Sequence, residues 1–206
     1  MTMSRPVRAS REEIDQIPDF PLIVSGFLSS AHVTRLLSFA EASDTSFGQT
    51  DVQDYWRGRT LTASEISDEG VRSLFRDIRD RVIGQVSALL ADHVGPQPPL
   101  HSDLMNYARW PPGYELLPHA DSENPNGTQH PYPWRDLAVV LYLNDNYEGG
   151  EIYFPNLDIE LKPTPGTLVV FPGTLFFLHG VRKVTTGMRH TIASFLTFDA
   201  SRRYDF

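Results

Sequence analysis

From Pro99 onward the chain is cut into short apolar runs of strand length, each closed by proline or glycine, and this punctuation limits the available folds more than any other feature. Leu104 to Ala108 leads into the turn Trp110-Pro111-Pro112-Gly113, and Tyr114 to Leu117 follows it. Leu137 to Leu143 reads as a buried strand, and Gly149-Gly150 turns the chain into Glu151 to Phe154. Thr167 to Phe171 stops at Pro172-Gly173, Leu175 to Leu178 reads as a strand ending at His179, and a last strand runs from Arg189 to Phe198. Runs this short, rich in β-branched and aromatic residues, suit paired strands better than helices. Many short strands with regular turns predict a double-sheet jelly roll.

The first half has a different period. Residues 1–20 read as an irregular lead-in, and Phe20 to Val24 as a short strand. Ser29 or Ser30 can cap a helix running to about Ala42, because Val33, Leu36, Leu37 and Ala40 recur at helical spacing. The polar stretch 43–60 reads as loop or short strand. Thr62-Ala63-Ser64-Glu65 has the form of a capping box and marks a second helix start. A longer helix is expected from Asp68 to His93, with an apolar stripe through Val71, Leu74, Phe75, Ile78, Val82, Val86, Leu89 and Leu90, and Gly95-Pro96 stops it. The expected architecture is one domain over residues 1–206, in which helical and strand support from 1–99 covers one side of a β-rich core at 100–199.

With no cysteine, thiolate catalysis, disulfides and cysteine-held metals are excluded, so any metal must be held by imidazole and oxygen. A formal charge of −8, with no block of lysine and arginine, argues against a nucleic-acid partner. The charged start lacks the apolar core of a secretory signal, and no run reaches membrane-spanning length, so the expected compartment is the cytoplasm, with no membrane partner.

Against that background, Pro118-His119-Ala120-Asp121 and Phe177-Leu178-His179-Gly180 carry the chemistry. Residues two apart on a strand leave the same face, so His119 and Asp121 can converge on one point. With His179 arriving from a distant strand, they make up the two-histidine, one-carboxylate facial triad of non-haem Fe(II) oxygenases, which leaves positions open for a cosubstrate and dioxygen. His130, in the polar loop, reads as a solvated histidine, since a full triad exists without it.

The run from about Met105 to Phe198, nearly half the chain, resembles the Fe(II)- and 2-oxoglutarate-dependent dioxygenases, and most of all their prolyl 4-hydroxylase-like branch. The resemblance is carried in order by Asn106-Tyr107, His119-Ala120-Asp121, Leu143 through Gly149-Gly150-Glu151 to Phe154-Pro155, Pro165-Gly166-Thr167 with Val170-Phe171-Pro172, His179-Gly180-Val181, and Thr186-Gly187-x-Arg189. It implies a double-stranded β-helix and an enzyme that couples decarboxylation of the cosubstrate 2-oxoglutarate, with dioxygen, to hydroxylation of an unactivated C–H bond. It also implies His119, Asp121 and His179 as Fe(II) ligands and Arg189 as partner of the distal carboxylate of 2-oxoglutarate, with Thr191 and Tyr107 contacting the same cosubstrate. A planar guanidinium can grip a carboxylate through two parallel hydrogen bonds, which suits Arg189 to that task. Retention of Asp121 argues against halogenation, because the related halogenases replace this carboxylate with a small residue.

The polar, proline-containing loop between Ser122 and Arg135 is the expected lid or substrate contact, with Arg135, Trp134 and Tyr132 as candidates and Arg109 beside them. Two arginines suit a substrate carboxylate, so a free amino acid or similar small acid is the expected substrate, with a peptidyl or carrier-bound residue also open. Two other readings remain at this point: a cupin-like metal enzyme that does not use 2-oxoglutarate, and a non-catalytic jelly-roll binding module.

Overall fold

The computed structural model describes residues 6–43, 47 and 54–206, so half of the 43–60 stretch and the first five residues of the lead-in lie outside the described residues. The lead-in holds a short helix, α1 (Arg11–Asp15), in place of the irregular segment expected there. Its cause is local: the Glu13 backbone N–H donates to Ser10 Oγ, and the Ser10 N–H donates to Glu13 Oε2 at 2.8 Å, closing a reciprocal cap. After β1 (Leu22–Val24), helix α2 (Ser30–Ala42) begins at Ser29, whose hydroxyl accepts from the His32 N–H. The helix expected at Thr62 is a single 3-10 turn, Ala63–Glu65, behind β2 (Thr60–Thr62). Glu65 does accept from the Thr62 N–H, at 3.1 Å, but Ile66 turns extended and is buried, which ends the turn before α3 (Glu69–Val94) can begin at its Asp68 cap. Gly95, at φ 77°, closes α3.

The remaining strands are β3 (His101–Trp110), β4 (Leu116–His119), β5 (Leu137–Tyr142), β6 (Ile152–Phe154), β7 (Ile159–Leu161), β8 (Leu168–Pro172), β9 (His179–Val181) and β10 (Arg189–Thr197). They form a six-stranded sheet in the order β1-β8-β5-β10-β3-β2 and a four-stranded sheet in the order β4-β9-β6-β7, and every pairing is antiparallel. This is the expected jelly roll. Strand β7 has no counterpart in the sequence reading, because Pro155 marks only the end of β6 and the positive φ of the turn into β7, 53°, falls on Asp158 and not on a glycine.

One strand boundary moves. Leu175–Phe177 is a 3-10 turn, and His179 opens β9 instead of ending a strand. The backbone groups of the turn are satisfied by side chains and by the turn itself: the Leu175 N–H donates to Glu123 Oε2 at 2.8 Å, Asn156 Nδ2 donates to the Leu175 carbonyl at 2.9 Å, and the Phe177 N–H donates to Thr174 O at 3.2 Å. No ladder is needed there.

Helix α3 covers the outer face of the larger sheet. Its buried stripe, Val71, Leu74, Phe75, Ile78, Val82, Val86 and Leu90, joins Met105, Tyr107, Ile192 and Leu196 in the main apolar core. The pairing of β10 with β3 sets Arg189 opposite Trp110, Thr191 opposite Ala108, Ala193 opposite Asn106 and Phe195 opposite Leu104. Side chains alternate along a strand, so these eight face away from α3, into the space between the sheets. Among the described residues, no helix is long and apolar enough to cross a membrane.

Asp15 ties α1 to this core, accepting from Thr174 Oγ1 at 2.9 Å. Burial raises its carboxyl to about 6, partly opposed by that hydrogen bond. A carboxyl whose folded value lies above its unfolded value contributes its stability fully below the unfolded value and loses it as pH rises through the folded one. Asp15→Asn keeps the acceptor and removes the loss. Relative to this variant, the parent should lose stability between about pH 4 and pH 7, read as diverging urea midpoints; parallel midpoints would exclude the effect. Phe75, fully buried in α3, should cost about 3–5 kcal/mol in denaturant unfolding when replaced by alanine.

Candidate active site

Strands β4 and β9 pair so that His119 stands opposite His179, with ring centroids 4.4 Å apart. Strand β4 ends at His119, so Asp121 is not carried by the strand parity expected for it; a bend delivers it. The bend is pinned by one carbonyl: the backbone N–H groups of Asp121 and Ser122 donate to Gly173 O at 3.0 and 2.9 Å, and Ser122 Oγ does so at 2.9 Å. A Cβ at Gly173 would meet Arg135 O at 2.6 Å and Asp121 Cβ at 3.3 Å, so only glycine lets these three segments meet.

Ligand-capable atoms of His119, Asp121 and His179 all lie within 4.8 Å of one another. Asp121 Oδ1 is 3.6 Å from His119 Nε2, and Oδ2 is 3.6 Å from His179 Nε2. Both distances are too long for hydrogen bonds, and Oδ2 is buried without a partner. Two imidazoles and a carboxylate that face one point and leave a buried oxygen unsatisfied fit a divalent cation.

The ring orientations are fixed by backbone. His119 Nδ1 lies 2.9 Å from Leu117 O, and His179 Nδ1 lies 3.1 Å from Phe177 O. A carbonyl only accepts, so each Nδ1 carries the proton and each Nε2 keeps its lone pair for the metal. Burial holds His179 down at about 4, against the pull of Asp121. Burial also opposes charge on His119, but the Asp121 carboxylate beside it outweighs that and raises it above its ordinary value. Asp121 itself is held low: burial would raise it, and the two histidines, His179 first, outweigh that.

Phe171 packs on the His179 ring at 4.5 Å and pairs across the sheet with Ala138 of β5. Four residues further on β5, roughly 13 Å along the strand, Tyr142 stands opposite Thr191. There its hydroxyl meets Arg189 Nη2 at 3.2 Å. Arg189 is 1% exposed and lies over the rings of Tyr142 (4.9 Å) and Trp110 (5.1 Å), and among the described residues no carboxylate reaches it. Its Nε, the Trp110 Nε1 and the Tyr147 hydroxyl are all buried without hydrogen-bond partners. Burial pushes the Tyr147 hydroxyl up to about 12, so at neutral pH it is a donor. Three unsatisfied donors around a buried cation fit one carboxylate, which offers about four lone-pair sites. Thr191 projects to the same face, as its spacing from Arg189 predicts.

Tyr107 does not join them. It pairs with Ile192, on the α3 side of the sheet, where it is fully buried, packs edge-on against Phe47 and places its hydroxyl 3.0 Å from His190 Nδ1. One residue of strand parity puts it on the wrong face. Arg109 shares that face, with its guanidinium 3.8 Å over Phe47 and Nη2 donating to Gly58 O at 3.0 Å. The aromatic polar groups at Arg189 are therefore Trp110, Tyr147 and Tyr142, the last accepting from Arg189, and the sequence reading did not single them out. Their signal was present in the two-residue spacing of Ala108 and Trp110, once the inward parity of the strand is known.

The loop from Ser122 to Arg135 has no regular secondary structure. Arg135 lies between the rings of Tyr132 (3.9 Å) and Phe195 (3.7 Å), and its Nε donates to Asp103 Oδ2 at 3.1 Å. Trp134 instead receives Arg202 on its face at 3.7 Å. His130 accepts from the Tyr132 N–H at 3.1 Å and is no part of the triad. Both ends of the loop are held by α1: Arg11 Nη1 donates to Glu123 Oε1 at 3.1 Å while Nη2 donates to Pro133 O, and Arg8 pairs with the buried Asp136. This clamp also went unread, since a charged lead-in carries no periodicity.

The family model of the 2OG-Fe(II) oxygenase superfamily matches residues 105–197. A PKHD-type hydroxylase of Crocosphaera subtropica is 26% identical over 182 residues, covering 85% of this chain and 77% of that protein. Prolyl 3-hydroxylase 1 of Gallus gallus is 41% identical over 73 residues, so the match covers 33% of this chain and only 10% of that relative. Among solved structures, a Trichoplax adhaerens prolyl hydroxylase in complex with a hypoxia inducible factor peptide fragment superposes at a TM-score of 0.66 and 19% identity, over 94% of this chain and 90% of that one. A Pseudomonas putida prolyl-4-hydroxylase gives 0.60 and 16%, over 95% and 100%. At those identities the structures speak for the fold alone; the family model assigns residues 105–197, which carry the triad, to the 2OG-Fe(II) oxygenase superfamily, and the triad with that match makes this a hydroxylase using Fe(II), 2-oxoglutarate and dioxygen.

Proposed function

We propose that this dioxygenase hydroxylates an unactivated C–H bond of a free amino acid or related small acid, with His119, Asp121 and His179 as the iron ligands and Arg189 as the anchor of 2-oxoglutarate. The observation that carries the cosubstrate role is the Arg189 guanidinium, which no carboxylate among the described residues neutralises, buried at one end of the space between the two sheets while the triad, on β4, β9 and the bend after β4, faces that space from the smaller sheet. A buried cation is expensive unless an anion meets it. Arg189 would take the distal carboxylate through its guanidinium edge, with Tyr147 and Trp110 as further donors, and so aim the 2-oxo acid end at the triad. When bound, Fe(II) with 2-oxoglutarate and dioxygen supplies the oxidant that breaks the C–H bond. The protein's own part is to hold the imidazoles by their Nδ1 protons, keep the carboxylate of Asp121 ionised, and exclude water around Arg189. None of this requires a protein acid or base. Arg135 supports the small-acid substrate, since Arg109 faces away.

A peptidyl substrate is the second reading, favoured by two exposed apolar side chains, Leu117 and Phe176, placed two and three residues before the ligand histidines. An assay of succinate release with free amino acids against short peptides separates the two.

Anaerobic protein with Fe(II) should give a visible charge-transfer band as 2-oxoglutarate is added. Asp121→Ala should abolish or alter it, and Arg189→Gln should raise the 2-oxoglutarate requirement at least ~30-fold, the loss expected when one partner of a buried charge pair is cut. An unchanged titration in the Arg189 variant removes the anchor assignment. Gly150, at φ 71°, leaves room for Arg189 and Tyr147: a Cβ there would meet Arg189 Cδ and Tyr147 Cε2 at 3.0 Å. Gly150→Ala should therefore weaken 2-oxoglutarate binding while the Fe(II) affinity stays unchanged.

A further inference from the structure

The inner face of the larger sheet is closed at one end and open at the other. Around Arg189 and Thr191 it is buried, whereas Leu104, Asn106, Val140, Ala193 and Phe195 are only half-buried. On the opposite face of the same strands, Met105, Tyr107, Ile192, Ser194 and Leu196 are all sealed beneath α3. The exposed part of the inner face is therefore the floor of a mouth, and the loop carrying Arg135 lies over it, since the guanidinium stacks on Phe195.

The charged groups at this mouth are few. Arg135 and Asp103 are 13% and 15% exposed and share a single hydrogen bond, from Nε to Oδ2 at 3.1 Å. Among the described residues, the terminal nitrogens of Arg135 and the Oδ1 of Asp103 have no protein hydrogen bond. The Oδ1 of Asn106, on the same inner face, is buried without a donor. Two aromatic rings, at 3.7 and 3.9 Å, fix the Arg135 guanidinium in place, so its free edge is pre-aimed. The site thus offers donors for a carboxylate beside acceptors for an ammonium.

We propose that Arg135, Asp103 and Asn106 form a headgroup reader for a zwitterion, selecting a free α-amino acid: Arg135 takes the α-carboxylate, and Asp103 with the Asn106 amide oxygen takes the α-ammonium. This rests on the small-acid reading above and goes beyond it by requiring an unblocked amine. An N-acylated residue or a residue inside a peptide would leave Asp103 Oδ1 and the Asn106 amide oxygen desolvated without a donor, the kind of unpaired polar group that gives strong discrimination. The neighbouring triad then determines which C–H bond of the substrate is reached.

The test uses the full-length protein loaded with Fe(II), with the twenty proteinogenic amino acids as probes and succinate release in excess of the substrate-free rate as readout. For whichever amino acid stimulates most, the N-acetyl and carboxamide derivatives should each lose at least ~30-fold in kcat/KM, mostly through KM. Asp103→Asn should shrink the free-amine preference to a few-fold while retaining the preference for a free carboxylate, and Arg135→Gln should do the reverse. Each ratio is measured within one variant, so a general loss of stability or rate cancels. N-acetyl derivatives as good as free amino acids in the parent would overturn the proposal, as would Asp103→Asn leaving the ratio intact. So would stimulation by peptides and by no free amino acid. Loss of the 2-oxoglutarate charge-transfer band in the parent would mark a different failure, that of the cosubstrate assignment.

Discussion

A guanidinium sealed beneath aromatic rings, with no carboxylate among the described residues to neutralise it, is the constraint on which the site depends. Arg189 can be held there only because β10 lies centrally in the larger sheet, between β3 and β5, with both registers fixed. A one-residue slip of β10 would turn Arg189 and Thr191 toward α3 and bring His190 and Ile192 inward. The long helix thus serves the chemistry indirectly: the apolar outer residues of β3 and β10 have one place to go, and their burial under α3 aims the polar ones at the cavity. The same parity explains why Tyr107 and Arg109, both chemically suitable, take no part.

The triad depends on a second device, the meeting of three segments at Gly173. The Asp121 bend hangs on the Gly173 carbonyl, Gly173 N–H donates to Asp136 O at 3.0 Å, and Asp136 is in turn held by Arg8 and by the Phe198 N–H. Helix α1 closes over this junction and grips both ends of the loop that follows Asp121. Metal ligand, loop and N-terminal segment therefore form one mechanical unit. Backbone carbonyls, which any sequence supplies, orient the two imidazoles.

How far the sequence reveals this follows from what kind of signal each feature leaves. Glycine and proline punctuation exposes the strands and the jelly roll, and helical spacing exposes α2 and α3, because both are periodic along the sequence. The three ligands are legible from residue type and order. By contrast, β7 turns on Asp158, the Leu175–Phe177 turn is stabilised by Glu123 from a distant loop, and the α1 clamp joins residues more than a hundred positions apart. Parity is the subtler gap: Tyr107 and Trp110 both sit on β3, and only the partner registers reveal that Trp110 faces Arg189 while Tyr107 faces Phe47. The carbonyl partners of the histidines leave no trace in residue identity at all.

The central claim is that an anion-seeking Arg189 pocket and a metal triad share one cosubstrate. The most direct measurement titrates the anaerobic Fe(II) protein with 2-oxoglutarate and, separately, with 2-oxopentanoate, which keeps the chelating 2-oxo acid and replaces the distal carboxylate with a methyl group. The account predicts a charge-transfer band with both and an affinity for 2-oxopentanoate lower by at least ~30-fold, since the Arg189 cation, Tyr147 and Trp110 are left unpaired. Equal affinity for the two would contradict it.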